Sequence, residues 1–75
     1  MISNKIEGYI RFQKSFGIEN LKIVISPDAY NKLKSECNDD IILQADGSIT
    51  FHGYPLEVYN KITTDFYVCE NNIGE

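Results

Sequence analysis

The first stretch of the chain alternates apolar and polar residues with the period of an α-helix. At 100° per residue, its large apolar side chains fall within one broad arc and most charged side chains lie opposite. This pattern predicts an amphipathic helix over about residues 4–16, with a cap at Asn4 and Glu7 and an end at Gly17. Gly8 costs about 1 kcal/mol relative to alanine inside a helix, so it either admits another backbone or marks a later helix start. The arc contains Ile2, Ile6, Tyr9, Ile10, Phe12 and Phe16.

A strand and a capped helix follow. Leu21–Ile25 is apolar except for Lys22 and is predicted to be a β-strand. Ser26-Pro27-Asp28 has the features of a helix start. A serine side chain can cap the first backbone N–H groups of a helix, and proline suits the first helical position. The aspartate places a negative charge at the positive end of the helix dipole. The pattern predicts a helix over about residues 27–37. Its buried stripe is formed by Tyr30, Leu33 and Cys37.

The next segment is predicted to be a β-hairpin. Asp46-Gly47 is typical of a two-residue hairpin turn. It would join strands at Ile41–Ala45 and Ser48–His52, a register in which Ile42 faces Phe51.

The end of the chain adds further β-structure. A second turn at Gly53-Tyr54 leads to a strand containing Leu56 and Val58, and a last strand is predicted over Asp65–Glu70. Residues 71–75 are expected to be a frayed tail. The prediction is a single domain over residues 1–75 of the two-layer α+β class, in the order α-β-α-β-β-β. Two helices would pack on a small, mainly antiparallel sheet.

Length and composition fit one small globular domain. The chain has 75 residues, 43% of them apolar and 24% charged. No apolar run approaches the roughly 18 residues that cross a membrane, and no secretion signal opens the chain. We therefore expect a cytoplasmic protein without membrane contact.

Charge divides the chain into two unlike halves. Residues 1–34 carry six basic and three acidic groups, whereas residues 35–75 carry one basic and eight acidic groups. If the halves stay apart in the fold, the resulting dipole favours head-to-tail self-association or docking on a charged partner. If they interleave, most of the dipole cancels. The sequence pI of about 4.8 argues against nucleic-acid binding, while the acidic half leaves mimicry of DNA open.

Catalytic and metal-binding chemistry has little support. His52, Cys37 and Cys69 are too few for a structural zinc site, and no glycine-rich phosphate loop is present. Both cysteines are expected to be free, small core residues, although a disulfide between them stays open. We predict no enzymatic activity, no cofactor and no metal.

The aromatic residues indicate a binding surface. Five Tyr and four Phe are more than a chain this short can surround, and exposed tyrosine is common at protein interfaces. Tyr9 and Phe12 lie towards one edge of the first helix's arc and are expected to stay exposed, with Arg11 and Lys14 orienting an acidic neighbour. The predicted protein-binding residues are Tyr9, Phe12, Arg11, Lys14, Tyr54 and Tyr59.

One stretch has a family resemblance. Lys22–Tyr30 with Leu33, followed by Ile49–Val58, forms a strand, a Ser-Pro cap, a short helix, a strand, a Gly-x-Pro turn and another strand. This arrangement resembles the late part of the major capsid proteins of tailed phages and covers about half the chain. The resemblance implies a phage or prophage origin and carries over no catalytic residue. A whole capsid protein is several times longer than this chain.

The leading hypothesis is a phage-encoded domain that binds, and thereby inhibits, a host protein in the host cytoplasm. One alternative is a minor virion or assembly component, which would bind phage proteins or further copies of itself. The other is an acidic DNA mimic or a small nucleic-acid binder.

Overall fold

Residues 1–71, which the computed structural model describes, form two α-helices and five β-strands. The predicted α+β class is confirmed, and all four strand segments predicted after the second helix are present, one more than the order α-β-α-β-β-β counts. A short 3-10 turn, Asn38–Asp40, joins that helix to the strands. The elements are α1 (Ile2–Lys14), β1 (Leu21–Ile25), α2 (Pro27–Cys37), β2 (Ile41–Leu43), β3 (Ile49–Phe51), β4 (Tyr54–Val58) and β5 (Phe66–Glu70).

The strands form one mixed sheet in the order β2-β3-β4-β1-β5. The two central strands, β4 and β1, are parallel, and the other neighbours are antiparallel. The sheet is therefore mainly antiparallel, as predicted. Its two edges are β2 and β5.

Both helices pack on one face of this sheet. Because side chains alternate along a strand, Leu21, Ile23 and Ile25 of β1 point toward the helices, whereas Lys22 and Val24 point to the opposite face. The core between the layers contains Ile2, Ile6, Ile10, Leu21, Ile23, Ile25, Ala29, Leu33, Phe51, Leu56, Phe66 and Val68.

Helix α1 begins earlier than predicted. It starts at Ile2, and Asn4 lies inside the helix rather than at its cap. The first backbone N–H groups are bound instead by the carboxylate of Glu36 in α2. The predicted ending is confirmed in its main feature, because Gly17 has a φ of +85 and its N–H bonds to the carbonyl of Lys14.

Helix α2 matches its prediction. The hydroxyl of Ser26 accepts a 3.2 Å hydrogen bond from the N–H of Ala29, and Pro27 occupies the first turn. Leu33 is buried, with Tyr30 and Cys37 half-buried beside it.

The predicted register of the first hairpin is wrong by one residue. Ile42 pairs with Thr50 rather than with Phe51, which pairs with Ile41. Gln44 bonds to Ser48, so the loop has three residues and ends at Gly47, whose φ is +91. A glycine in this left-handed conformation suits a three-residue loop as well as a two-residue one, so the Asp-Gly signal alone does not decide the register.

The second turn also lies one residue earlier than predicted. It consists of His52 and Gly53, with φ values of +53 and +84, between the paired residues Phe51 and Tyr54. Two successive positive φ values define the type I′ turn that fits the twist of neighbouring strands. A positive φ is uncommon for a residue other than glycine, and histidine is one of the types that adopt it more often.

The last described residue is part of the fold. Asn71 is buried, its N–H bonds to the carbonyl of Asn20 at 2.7 Å, and its own carbonyl accepts the side-chain amide of Asn20. The predicted tail therefore excludes Asn71, and residues 72–75 lie outside the described residues. In the described part of the chain, no helix is long and apolar enough to cross a membrane.

Candidate functional site

One side of α1 exposes a row of aromatic side chains. Tyr9, Phe12 and Phe16 are 55%, 61% and 66% exposed. The exposure predicted for Tyr9 and Phe12 is confirmed. The sheet covers only the narrower stripe of isoleucines at four-residue spacing, because the apolar arc is wider than one sheet face can bury.

Gly8 forms a notch in this row. Lys5, Gly8, Tyr9 and Phe12 line a shallow depression of about 630 Å³. A Cβ atom added at Gly8 would meet no atom within 4 Å, so nothing inside the chain requires a glycine there. Two of the exposed aromatic side chains also contact each other. The Phe12 and Phe16 rings pack edge to face, with their centroids 5.0 Å apart.

The aromatic row continues onto the β5 edge of the sheet. The Tyr9 ring lies 5.2 Å from the buried Phe66 ring, and a second depression runs between Tyr9, Phe12, Tyr67 and Val68. We define the α1 surface as Gly8, Tyr9, Phe12, Phe16 and Tyr67.

Side chains partly close the outer edge of β5. Gln13 of α1 donates its side-chain amide to the carbonyl of Val68 at 3.3 Å, and the hydroxyl of Thr64 donates to the carbonyl of Phe66 at 3.1 Å. These bonds occupy carbonyls that a further strand would need. The α1 surface therefore suits side-chain docking better than strand addition.

Basic side chains accompany the α1 surface. Within the described residues, none of Lys5, Arg11 and Lys14 lies within 4.0 Å of a carboxylate. The Lys14 Nζ atom sits 6.0 Å from the centre of the Tyr54 ring. Lys5 and Arg11 are exposed and form no ion pair among the described residues, so the surface favours an acidic partner. Lys14 lies beside Tyr54, outside the α1 surface.

The structure brings together only part of the predicted site. Tyr9, Phe12, Arg11 and Lys14 share α1, whereas Tyr54 is half-buried against the core. Tyr59 is exposed on the opposite face of the sheet, in a depression lined by Lys22, Val24, Glu57 and Tyr67. Binding by all six residues stays a prediction, but they do not form one surface.

Sequence reasoning missed Phe16 and Tyr67 as members of this surface. Phe16 was readable, because it follows Phe12 by one helical turn. Tyr67 was not, because only the packing of α1 beside β5 brings it near Tyr9.

His52 is the centre of a cluster of titratable groups. Its Nε2 atom lies 3.5 Å from Glu7 Oε2 and 3.6 Å from Asp40 Oδ2, and its ring packs edge to face on Phe51. The cluster ties α1 and the 3-10 turn to the turn between β3 and β4. Among residues 1–71, no three His, Cys, Asp or Glu side chains are placed to share a metal ion.

The two cysteines are free and lie on opposite faces of the sheet. Burial and, to a lesser degree, the nearby Asp40 raise the pKa of the Cys37 thiol, which also donates to the carbonyl of Leu33 at 3.6 Å. Such a thiol is a poor nucleophile. Cys69 pairs with Lys22 of β1, and its side chain is half-buried on the sheet face away from the helices. The prediction that Cys69 is a core residue is therefore wrong.

Comparisons with protein families, with curated proteins and with solved structures found no match to this chain.

Proposed function

We propose that this chain is a non-enzymatic protein-binding domain that docks through the α1 surface. The observation that carries the proposal is the continuous row of exposed aromatic side chains around Gly8. Large exposed apolar patches on small proteins mark interaction sites, and aromatic anchors contribute most of the affinity at interfaces.

Gly8 supports the same proposal. A glycine inside a helix costs about 1 kcal/mol, and no neighbouring atom in the chain benefits from the missing side chain. The notch gives a partner access to the helix backbone between Lys5, Tyr9 and Phe12. An apolar side chain of the partner would fill the notch.

The basic residues define the chemistry of the partner. Lys5 lines the depression at Gly8, Arg11 is exposed on the next turn of α1, and neither forms an ion pair among the described residues. The partner therefore presents an apolar segment flanked by carboxylates.

The proposed role is non-enzymatic because the Cys37 thiol and the His52 imidazole both make contacts within the fold. The Cys37 thiol has a raised pKa and donates within its own helix. His52 occupies a tight turn between two carboxylates. Neither arrangement provides an activated nucleophile.

We further propose that the domain is phage-encoded and acts in the host cytoplasm, where it docks on and inhibits a host protein. The resemblance of residues 22–33 and 49–58 to phage capsid proteins supports this origin. A small protein that covers a functional face of a larger one can inhibit it without chemistry of its own.

Affinity capture from host lysate tests the proposal. The bait proteins are the wild type, the double variant Tyr9→Ala/Phe12→Ala, and Tyr59→Ala as a matched control, since Tyr59 is 47% exposed but lines neither depression beside Tyr9 and Phe12. We expect one stoichiometric host protein with the wild type and the control. The double variant should bind it at least about thirtyfold more weakly, as expected for a lost aromatic anchor.

Circular dichroism must show that all three baits are folded. Equal capture by the double variant and the wild type would refute docking through the α1 surface. Recovery of structural virion proteins instead of a host protein would replace inhibition by a role in assembly.

A further inference from the structure

The β2 edge of the sheet is a second exposed apolar site. Ile42 and Leu43 are 54% and 73% exposed, which is unusual for consecutive large aliphatic residues. Gln44 bonds to Ser48 across the hairpin, so alternation along the strand turns the N–H and carbonyl of Leu43 away from β3. Among residues 1–71, no strand lies beside β2 on that side.

Acidic residues flank this edge. Asp39 and Asp40 precede β2, and Asp46 follows it in the hairpin loop. Hydrogen bonds from the hydroxyl and the N–H of Ser48 hold the pKa of Asp46 below its usual range, so this carboxylate stays ionised. We define the β2 edge as Ile42, Leu43, Asp39 and Asp46; Asp40 instead lies 3.6 Å from His52 within the same chain.

The β2 edge and the α1 surface lie at opposite ends of the sheet. β2 and β5 are separated by four strand spacings, about 19 Å, with Tyr67 and the packed side of α1 at the β5 end. Leu43 in β2 and Tyr67 in β5 therefore do not contact each other within one chain.

We infer that the β2 edge of one copy of this chain binds the α1 surface of the next copy, head to tail. The inference rests on the proposed function, because it names a second copy as an occupant of the same surface. Leu43 would enter the notch at Gly8, between Tyr9 and Phe12. The flanking aspartates would lie near Lys5 and Arg11.

Charge complementarity selects this pairing over a symmetric dimer. Two α1 surfaces face to face would oppose cations with cations, and two β2 edges would oppose carboxylates with carboxylates. Only the unlike pairing brings opposite charges together. Such a contact leaves one free site at each end, so it produces open chains or rings rather than a closed dimer.

Two variants test this arrangement. The surface variant, Tyr9→Ala/Phe12→Ala, keeps its β2 edge, and the edge variant, Ile42→Thr/Leu43→Thr, keeps its α1 surface. Sedimentation equilibrium should show a wild-type mass that grows with concentration beyond a dimer. Each variant alone should stay monomeric. An equimolar mixture should form a one-to-one complex and nothing larger, because each variant supplies the site that the other lacks.

A second pair of variants, in which charges are exchanged, keeps the test valid if the apolar variants do not fold. Arg11 and Asp39 are exposed, so Arg11→Glu and Asp39→Lys should both fold. Each should self-associate more weakly than the wild type. Mixing them should restore association, because in the mixture the introduced glutamate meets the introduced lysine and Arg11 meets Asp39. The double variant Arg11→Glu/Asp39→Lys should likewise associate with itself.

Raising NaCl from about 50 to about 500 mM should weaken wild-type association, since the contact depends on charge. A wild type that is monomeric at about millimolar concentration would overturn the inference, as would folded variants that form no complex when mixed. If the wild type is monomeric but captures a host protein through Tyr9 and Phe12, the inference fails while the proposed function stands. If the wild type self-associates but captures no host protein, the inference stands and the proposed binding to a host protein fails.

Discussion

The carboxylate of Glu36, near the end of α2, accepts a 3.1 Å hydrogen bond from the backbone N–H of Ser3 in the first turn of α1. The same carboxylate accepts the N–H of Ile2 at 3.2 Å. The first N–H groups of a helix have no partner within the helix, and a negative charge at that end also interacts favourably with the helix dipole. One helix therefore caps the other, and α1 needs no capping side chain of its own.

Glu36→Gln should lower thermal stability in a pH-dependent way. The hydrogen bond from Ser3 is the main cause that lowers the pKa of Glu36, so the unfolded chain takes up this proton at a higher pH than the folded chain does. The stability from Glu36 is thus complete above about pH 5 and is lost as the pH falls through the folded-state pKa.

Melting curves of the wild type and Glu36→Gln at neutral, mildly acidic and strongly acidic pH measure this effect. The difference in melting temperature should be widest at neutral pH and should close in acid. Glu19→Gln is the control, since Glu19 is exposed outside both helices. A difference that does not change with pH would contradict the capping role.

Gly8→Ala should raise stability and reduce binding together. The added Cβ meets no atom within 4 Å, so the isolated domain should gain up to about 1 kcal/mol in its free energy of unfolding. The same methyl group fills the notch that a partner uses, so association through the α1 surface should weaken. Chemical denaturation and a binding titration measure the two effects.

Gly17→Ala is the matched control for Gly8→Ala. Its Cβ also meets open space, but Gly17 has a φ of +85, so this variant should lose stability. If Gly8→Ala gained stability and kept full binding, Gly8 would have no role at an interface.

Gly53→Ala should destabilise the domain by about 1 kcal/mol or more, because Gly53 has a φ of +84 in the tight turn after β3. His52→Asn should keep the turn, since Asn-Gly is the preferred pair for a type I′ turn. Urea denaturation of both variants checks this difference. Equal losses for the two would argue against the observed turn.

The two thiols should react at different rates. Cys37 has a raised pKa and an internal hydrogen bond, whereas Cys69 lies on the sheet face that carries no helix. We expect native labelling at mildly alkaline pH to modify Cys69 first, and unfolding to make both thiols reactive. In the variant Cys69→Ser, the fast phase of thiol labelling should disappear. A fast phase that persists in that variant would place the reactive thiol at Cys37.

Signals within a few residues of one another were readable from the sequence. The cap at Ser26 was predicted correctly because its partner, Ala29, is three residues away. The exposure of Tyr9 and Phe12 followed from the width of the helical arc. In each case the deciding contact or spacing lies inside one element.

Features that depend on distant residues were not readable. The start of α1 depends on Glu36, more than thirty residues later in the chain. The hairpin register failed because Gly47 suits both loop lengths, and Gly47→Val would destabilise either register. The candidate surface extends to Tyr67 only because of the way α1 packs beside β5, which no local pattern describes.

The position of β1 between two strands that are made later has a consequence during synthesis. Both of its neighbours, β4 and β5, follow it in the chain, and β5 ends about 45 residues after Ile25. At translation rates of about 5–20 residues per second, that interval lasts about 2–9 s. Until the end of this interval the most deeply buried strand of the protein lacks at least one of its two partners, while the nascent chain is still growing. The pace of the ribosome, rather than the folding of the finished chain, therefore sets how long this segment is open to aggregation or to capture by a chaperone.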